Sequence, residues 1–374
     1  MKILFYLGHP AHFHLFKNTI QTLGSNGHKV IVMIKKKDIL EDLVRRSGMS
    51  YINILPEGRG DSRSEIALGM LKRDWRLFRY CLQDRPELMI GTSTEIGHVG
   101  SILCIPSINV NEDDAGAVPL FSKLSYPFST HILSPSACNN GRWESKSIKY
   151  EGYHELAYLH PDNFSPSGEI AKKFLPVEEP YFLIRFAKLN AHHDKGITGI
   201  TDDLALKIID ILKPFGNIYI TSERKYDARF EPYRLRIDPL DIHHVMAFAS
   251  LYIGDSQTMA AEAGVLGVPF VRFNGFVGKL GYLNELENKY KLGYGIKPSE
   301  PERLLEVIND LVRMENRTEI FKIRRMNMLK DKINLTSLMV WLIENYPDSI
   351  KMIMDNPEIQ ERFKGRYDGL TINQ

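Results

Sequence analysis

The sequence predicts an α/β protein made of two successive parallel-sheet halves. Apolar runs of strand length alternate with helix-length amphipathic segments through residues 1–152 and again from residue 180. At 374 residues the chain also exceeds what one compact core usually holds, so two domains are expected.

Residues 2–7 are almost continuously apolar and read as a buried strand. In residues 10–23, Phe13, Phe16, Ile20 and Leu23 recur at helical spacing. Residues 24–27 turn the chain, 28–34 form the next strand, and 38–47 a helix capped by Asp38. With a third strand at 51–55, these units imply a parallel sheet with right-handed crossovers. Residues 65–84 form a long helix made basic by Lys72, Arg73, Arg76 and Arg79. A packed helix with a solvated face accounts for it better than one lying on an anionic membrane, because Pro86 and a strand follow directly. That strand ends at Gly91, a short helix covers 95–104, strands follow at 106–110 and 129–133, and 148–152 ends the first domain.

Pro161, Pro166, Pro176 and Pro180 mark 153–179 as the linker, with a helical stretch at 170–175. The second half restarts with a strand at 181–186, a helix at 202–212 and a strand at 217–221. An extended piece at 234–237, a short helix at 239–249 and helices at 301–313, 319–329 and 336–345 follow. The expected division is a domain over 1–152, a linker over 153–179, a second domain over 180–345 and a partly helical tail over 346–374.

The balance of 48 basic and 46 acidic residues leaves a net charge of +2, which demands no nucleic-acid partner. Three scattered cysteines, Cys81, Cys104 and Cys138, match reduced thiols rather than a metal site. The brief apolar start is too short for a signal-peptide core, and no stretch reaches bilayer length. A cytoplasmic protein is expected, with room for a peripheral contact at the inner face of the membrane.

The most informative stretch runs from Tyr252 to Phe273. An apolar run ends at Gly254, and Asp255, Ser256, Gln257 and Thr258 form a polar turn. Residues 259–266 then favour helix until Gly267 and Pro269. A helix opening on hydroxyl residues presents backbone N–H groups and a positive dipole end, a site for phosphate. Glu262 stands one turn above Thr258 on the same face, placed to bind the two hydroxyls of a ribose. The alternative is a strand–turn–helix unit whose Ser only caps its own helix.

Three imidazoles crowd the turn after the first strand, in Gly8-His9-Pro10-Ala11-His12-Phe13-His14. A histidine there can take a proton from an acceptor hydroxyl, and His12, then His9, are the candidates. The remaining role for these rings is to cap or pack the helix start. Glu112, Asp113 and Asp114 follow the strand at 106–110 and are alternative bases, although an acidic run is often simply solvated. Thr92, Ser93, Thr94 and Glu95 lie at the same edge. In the second half, Arg185, Lys188, His192, His193 and Lys195 are cations suited to a diphosphate leaving group, or an ordinary basic loop.

The segment from Ile237 through 246–249 to Gly254, Asp255, Ser256, Glu262 and 266–269 resembles the donor domain of GT-B glycosyltransferases and UDP-N-acetylglucosamine 2-epimerases. It is also similar to that region of the peptidoglycan lipid-intermediate N-acetylglucosaminyltransferase. More closely, Pro10-Ala11-His12 together with Thr258-Met259-Ala260-Ala261-Glu262-Ala263 resembles the GT-B-like family catalogued as domain of unknown function 354, over most of residues 1–345. The resemblance implies two Rossmann-like domains facing an interdomain cleft, with catalysis there and without a metal. It places Glu262 on the ribose, Ser256, Gln257 and Thr258 at the diphosphate, and the base around Ile237 to Ile242. Relatives have glycines where this chain has Asp255, Ser256 and Gln257.

The function expected is an inverting transfer of a sugar, as a UDP-sugar first, to a hydroxyl on a glycan or lipid-linked acceptor, for a surface polysaccharide or glycoconjugate. His12 or an acid of the Glu112–Asp114 run would be the base, and Arg185 would stabilise the leaving diphosphate. The nucleotide sugar is substrate, and no cofactor is expected. The alternatives are a nucleotide-sugar 2-epimerase or hydrolase on the same fold, or a nucleotide-sugar-binding protein without turnover.

Overall fold

The computed structural model describes residues 1–58, 62–187, 199–225 and 227–365. It divides into one unit of Met1–Asn163 with the described residues of Lys332–Arg366, and a second containing Phe164–Asp331.

In the first unit, strands β1 (Lys2–Leu7), β2 (Lys29–Ile34), β3 (Ile52–Asn53), β4 (Leu88–Gly91), β5 (Ser107–Val110), β6 (His131–Pro135) and β7 (Ser147–Tyr150) form a seven-stranded sheet. All its pairings are parallel, in the order β3-β2-β1-β4-β5-β6-β7. The crossovers carry helices α1 (Pro10–Ser25), α2 (Leu40–Arg46), α3 (Arg63–Gln83), α4 (Thr94–Leu103) and α5 (Pro119–Ser125). A capping box opens α3: Ser62 Oγ accepts from the Glu65 N–H while Glu65 accepts from the Ser62 N–H. Asp38 does not cap α2, contrary to expectation. It takes a left-handed φ of 45°, and no side-chain cap closes that helix.

In the second unit, α6 (Gly168–Ala171) precedes β8 (Tyr181–Phe186), α7 (Asp202–Leu212), β9 (Asn217–Ser222), α8 (Ile242–Met246) and β10 (Leu251–Gly254). Then come α9 (Gln257–Leu266), β11 (Phe270–Phe273), α10 (Gly281–Asn288), β12 (Gly293–Ile296), α11 (Pro301–Arg313) and α12 (Arg317–Asp331). The sheet is again parallel throughout, in the order β12-β11-β10-β8-β9. The extended piece expected at 234–237 is reduced to a single bridge between Ile220 and Arg234.

The unit boundaries differ from those the prolines suggest. Tyr153, Leu156, Leu159 and His160 are buried within the first unit, so the expected linker is core for its first part. After Asp331 the chain returns to the first unit with α13 (Leu335–Glu344) and α14 (Asp348–Asp355). Thr336 Oγ1 donates to the Ala157 carbonyl at 2.6 Å, and Asn163 Nδ2 to Asn334 Oδ1 at 2.9 Å. The helix expected to close the second domain thus belongs to the first.

Candidate functional site

In an open parallel sheet, ligands gather at the carboxyl ends of the strands where the order reverses. In the second unit that point lies between β8 and β10. Gly254 pairs in register with Arg185 on one side and Arg272 on the other. A Cβ on Gly254 would sit 2.6 Å from the Tyr252 hydroxyl and 3.0 Å from the Arg185 Cβ, so only glycine fits this end of β10. Asp255 Oδ1 accepts the Ala187 N–H at 2.5 Å, bridging the two strand ends. Burial raises the Asp255 carboxyl to about 6.

Helix α9 starts directly above. Ser256 is its N-cap, with Oγ accepting from the Met259 N–H at 3.4 Å. The capping role and the phosphate role are compatible, because the earliest N–H groups of any helix lack intrahelical acceptors. Gln257 and Thr258 are half-buried on the first turn. Glu262 is not a solvated helix residue: it is buried, with Oε1 2.9 Å from His243 Nε2 on α8. His243 is the residue that sequence reasoning missed. Ile237 and Ile242, half-buried, flank the turn that leads into α8. Asp238 holds that turn, its carboxylate accepting from the Leu240 N–H at 3.0 Å.

A polar network braces this edge. Arg272 is wholly buried and donates to Glu287 Oε1 from Nε at 3.0 Å and from a terminal nitrogen at 2.7 Å. It also donates to Asn274 at 3.3 Å, and Asn274 Nδ2 donates to the Asp255 carbonyl at 3.1 Å. Gly295 leaves the room that Glu287 occupies, since a Cβ there would lie 2.6 Å from Glu287 Oε2. Glu287 stands on α10, an element without a clear sequence signal. Arg185 donates to Glu223 Oε1 at 2.5 Å, so this cation is already held by a carboxylate. Lys188, His192, His193 and Lys195 lie outside the described residues.

In the first unit the order reverses between β1 and β4. The three histidines after β1 have three different environments. His9 caps α1, its Nδ1 accepting the Ala11 N–H at 3.2 Å. His12 Nδ1 accepts the Gly8 N–H at 3.1 Å. His14 is buried and packs between Phe13 and Tyr158, ring centroids 5.2 and 5.4 Å away. Burial, then the neighbouring charges of His9, Lys35 and His154, hold His12 well below the usual histidine range. A neutral imidazole whose Nδ1 accepts carries its proton on Nε2. Neutral His12 therefore presents an N–H donor.

The acidic run also separates by environment. Glu112 Oε2 accepts the His154 backbone N–H at 3.1 Å, its other oxygen lies 3.5 Å from the His154 ring Nδ1, and burial lowers that ring to about 3. Asp114 Oδ1 accepts the Asn139 N–H at 2.9 Å. Asp113 is raised to about 6 by burial first and then by the charge of Asp114. Thr92 Oγ1 donates to the Val110 carbonyl at 2.6 Å, and buried Glu95 pairs with buried Arg73. Those two members of the Thr92–Glu95 group are structural.

Two hundred and thirty-six solved chains match the structure. The structure is similar to S. aureus MnaA in a co-structure with UDP, with TM-score 0.69, 12% identity, and 94% of this chain and 98% of that chain covered. It is similar to UDP-N-acetylglucosamine 2-epimerase from Rickettsia bellii, with TM-score 0.65, 13% identity and the same coverage of 94% and 98%. A spinosyn rhamnosyltransferase complexed with spinosyn aglycone matches with TM-score 0.62, 13% identity, and 92% and 100% covered. At these identities the likeness establishes the fold, which is GT-B-like. None of the curated proteins matches the sequence. A family model described as protein of unknown function (DUF354) matches residues 1–280, and the chain belongs to that family.

Proposed function

We propose that this protein transfers a sugar from a nucleoside diphosphate sugar, a UDP-sugar first, to a hydroxyl on a glycan or lipid-linked acceptor. The observation that carries the proposal is Glu262, buried one turn inside a Ser-capped helix and positioned by His243. A carboxylate in that place accepts hydrogen bonds from two ribose hydroxyls, while the helix start receives the diphosphate.

In the transfer, a carboxylate takes the acceptor proton as the acceptor oxygen attacks the anomeric carbon. The bond to the diphosphate oxygen breaks, and the diphosphate leaves with the electron pair and inversion of the sugar carbon. Asp113 is the base we assign. It follows the carboxyl end of β5, and burial with the charge of Asp114 raises its carboxyl to about 6, basic enough to take a proton at neutral pH. The hydrogen bond from Gly8 weighs against His12 as the base, because Nδ1 is occupied and Nε2 carries the proton. His12, and His9 beside it, instead donate to acceptor or sugar oxygens.

Titration calorimetry with UDP and UDP-sugars tests the donor site. Glu262→Gln should weaken UDP binding at least tenfold, about 1.4 kcal/mol for one charge-assisted bond. Asp113→Asn should bind UDP normally and lose transfer. Unchanged UDP affinity in Glu262→Gln refutes the donor site. Conversion of the UDP-sugar to an epimer without acceptor refutes the transferase reading.

A further inference from the structure

Helix α3 turns an apolar row outward. Leu68, Leu71, Trp75 and Leu82 are 54%, 61%, 60% and 62% exposed, at spacings that put them on one face. The inward face is occupied separately, by Leu77 and Cys81 in the core and by Arg73 with Glu95. Ile102 at the end of α4 and Leu120 on α5 are exposed as well, and α4 packs against both α3 and α5. A Trp and several leucines left open together amount to a few hundred Å², roughly the largest apolar patch a monomer ordinarily shows.

The exposed charge on this surface is mostly basic. Lys72, Arg79 and Lys123 are exposed among the apolar residues. Of the acids on the same helices, Glu65 is exposed and keeps its charge in the capping box, whereas Asp74 contacts His98 at 3.0 Å and Glu95 is buried against Arg73. A second copy of this face would oppose cation to cation. An anionic lipid surface meets both the charge and the apolar row, since a basic amphipathic helix with Trp and Leu on its face lies in the plane of such an interface. No described helix is long and apolar enough to cross a membrane, so contact would be from one side.

We propose that the α3–α4–α5 face of the first unit is a docking surface for a bilayer containing anionic lipid, with Trp75 and the flanking leucines inserted at the headgroup level. This inference does not rest on the reaction proposed above, and vesicle binding and UDP binding are read separately.

The test is flotation of the full chain with phosphatidylcholine vesicles, with and without phosphatidylglycerol. Binding is expected only with phosphatidylglycerol, and should weaken about fivefold for each of Lys72→Ala and Arg79→Ala. The pair Leu71→Ser and Trp75→Ser should abolish it while UDP binding stays unchanged. Both side chains are exposed, so their loss leaves the core intact. Absence of binding to anionic vesicles at low salt overturns the proposal, as does equal binding by the Leu71/Trp75 variant. A dimer in sedimentation that disappears in that variant, without vesicle binding, assigns the face to a second copy. Retention on single-stranded nucleic acid with no vesicle binding likewise overturns it.

Discussion

Asp255 offers a sharp test of the donor-site electrostatics. The side chain is buried at the end of β10, and burial lifts its carboxyl from 3.8 to about 6. The folded state therefore holds the proton more tightly than the unfolded chain. Between these two values the unfolded chain is ionised while the folded chain is still protonated, so stability falls as pH rises through this window and levels off above it. A rise of that size costs about 3 kcal/mol of stability at neutral pH and above. Asp255→Asn removes the charge, and its Oδ1 can keep the Ala187 N–H. The variant should gain up to about 3 kcal/mol at about pH 8 and about half of that at about pH 5. Urea unfolding at both pH values measures this. With one negative charge fewer beside the helix start, UDP should also bind more tightly, chiefly at the higher pH. A variant that is less stable at the higher pH, or stabilised equally at both, refutes the reasoning.

Two further outcomes follow from buried contacts. Arg73→Met leaves Glu95 charged and unpaired in the core, and should cost about 3–5 kcal/mol in chemical denaturation. Adding Glu95→Leu should recover much of that loss, which a double-mutant cycle reads. Gly293→Ala would place a Cβ 2.4 Å from the Phe270 ring, forcing that core ring to shift, and should lower stability by about 1–3 kcal/mol without a pH dependence.

Much of the fold was legible because a parallel sheet buries whole strands. Residues 181–186, 202–212 and 301–313 read in the sequence with the same bounds the structure shows. Helix α5, helix α10 and strand β12 were not legible. β12 carries Gly293 and Gly295, which weaken a strand signal but are needed beside Phe270 and Glu287. The candidate site was legible as residue types at strand ends. Its hydrogen-bond partners were not, because they come from distant segments: Glu262 meets His243, and Asp255 meets Ala187.

The sequence by itself determined the two α/β halves, the polar turn from Gly254 to Glu262 and the histidine-rich turn after the first strand, since these depend on local pattern and on where strands end. Only the tertiary structure decided which of those side chains remain available. His9 caps, His14 packs, Glu112 and Asp114 hold backbone N–H groups, and Asp113 is the carboxyl raised by burial and its neighbour. Tertiary structure likewise chose the faces of the long basic helix. That helix is apolar on more than one side, and packing takes Arg73 inward to meet Glu95 and leaves Trp75 in solvent. Periodicity cannot make that choice, because it depends on a partner charge in another helix.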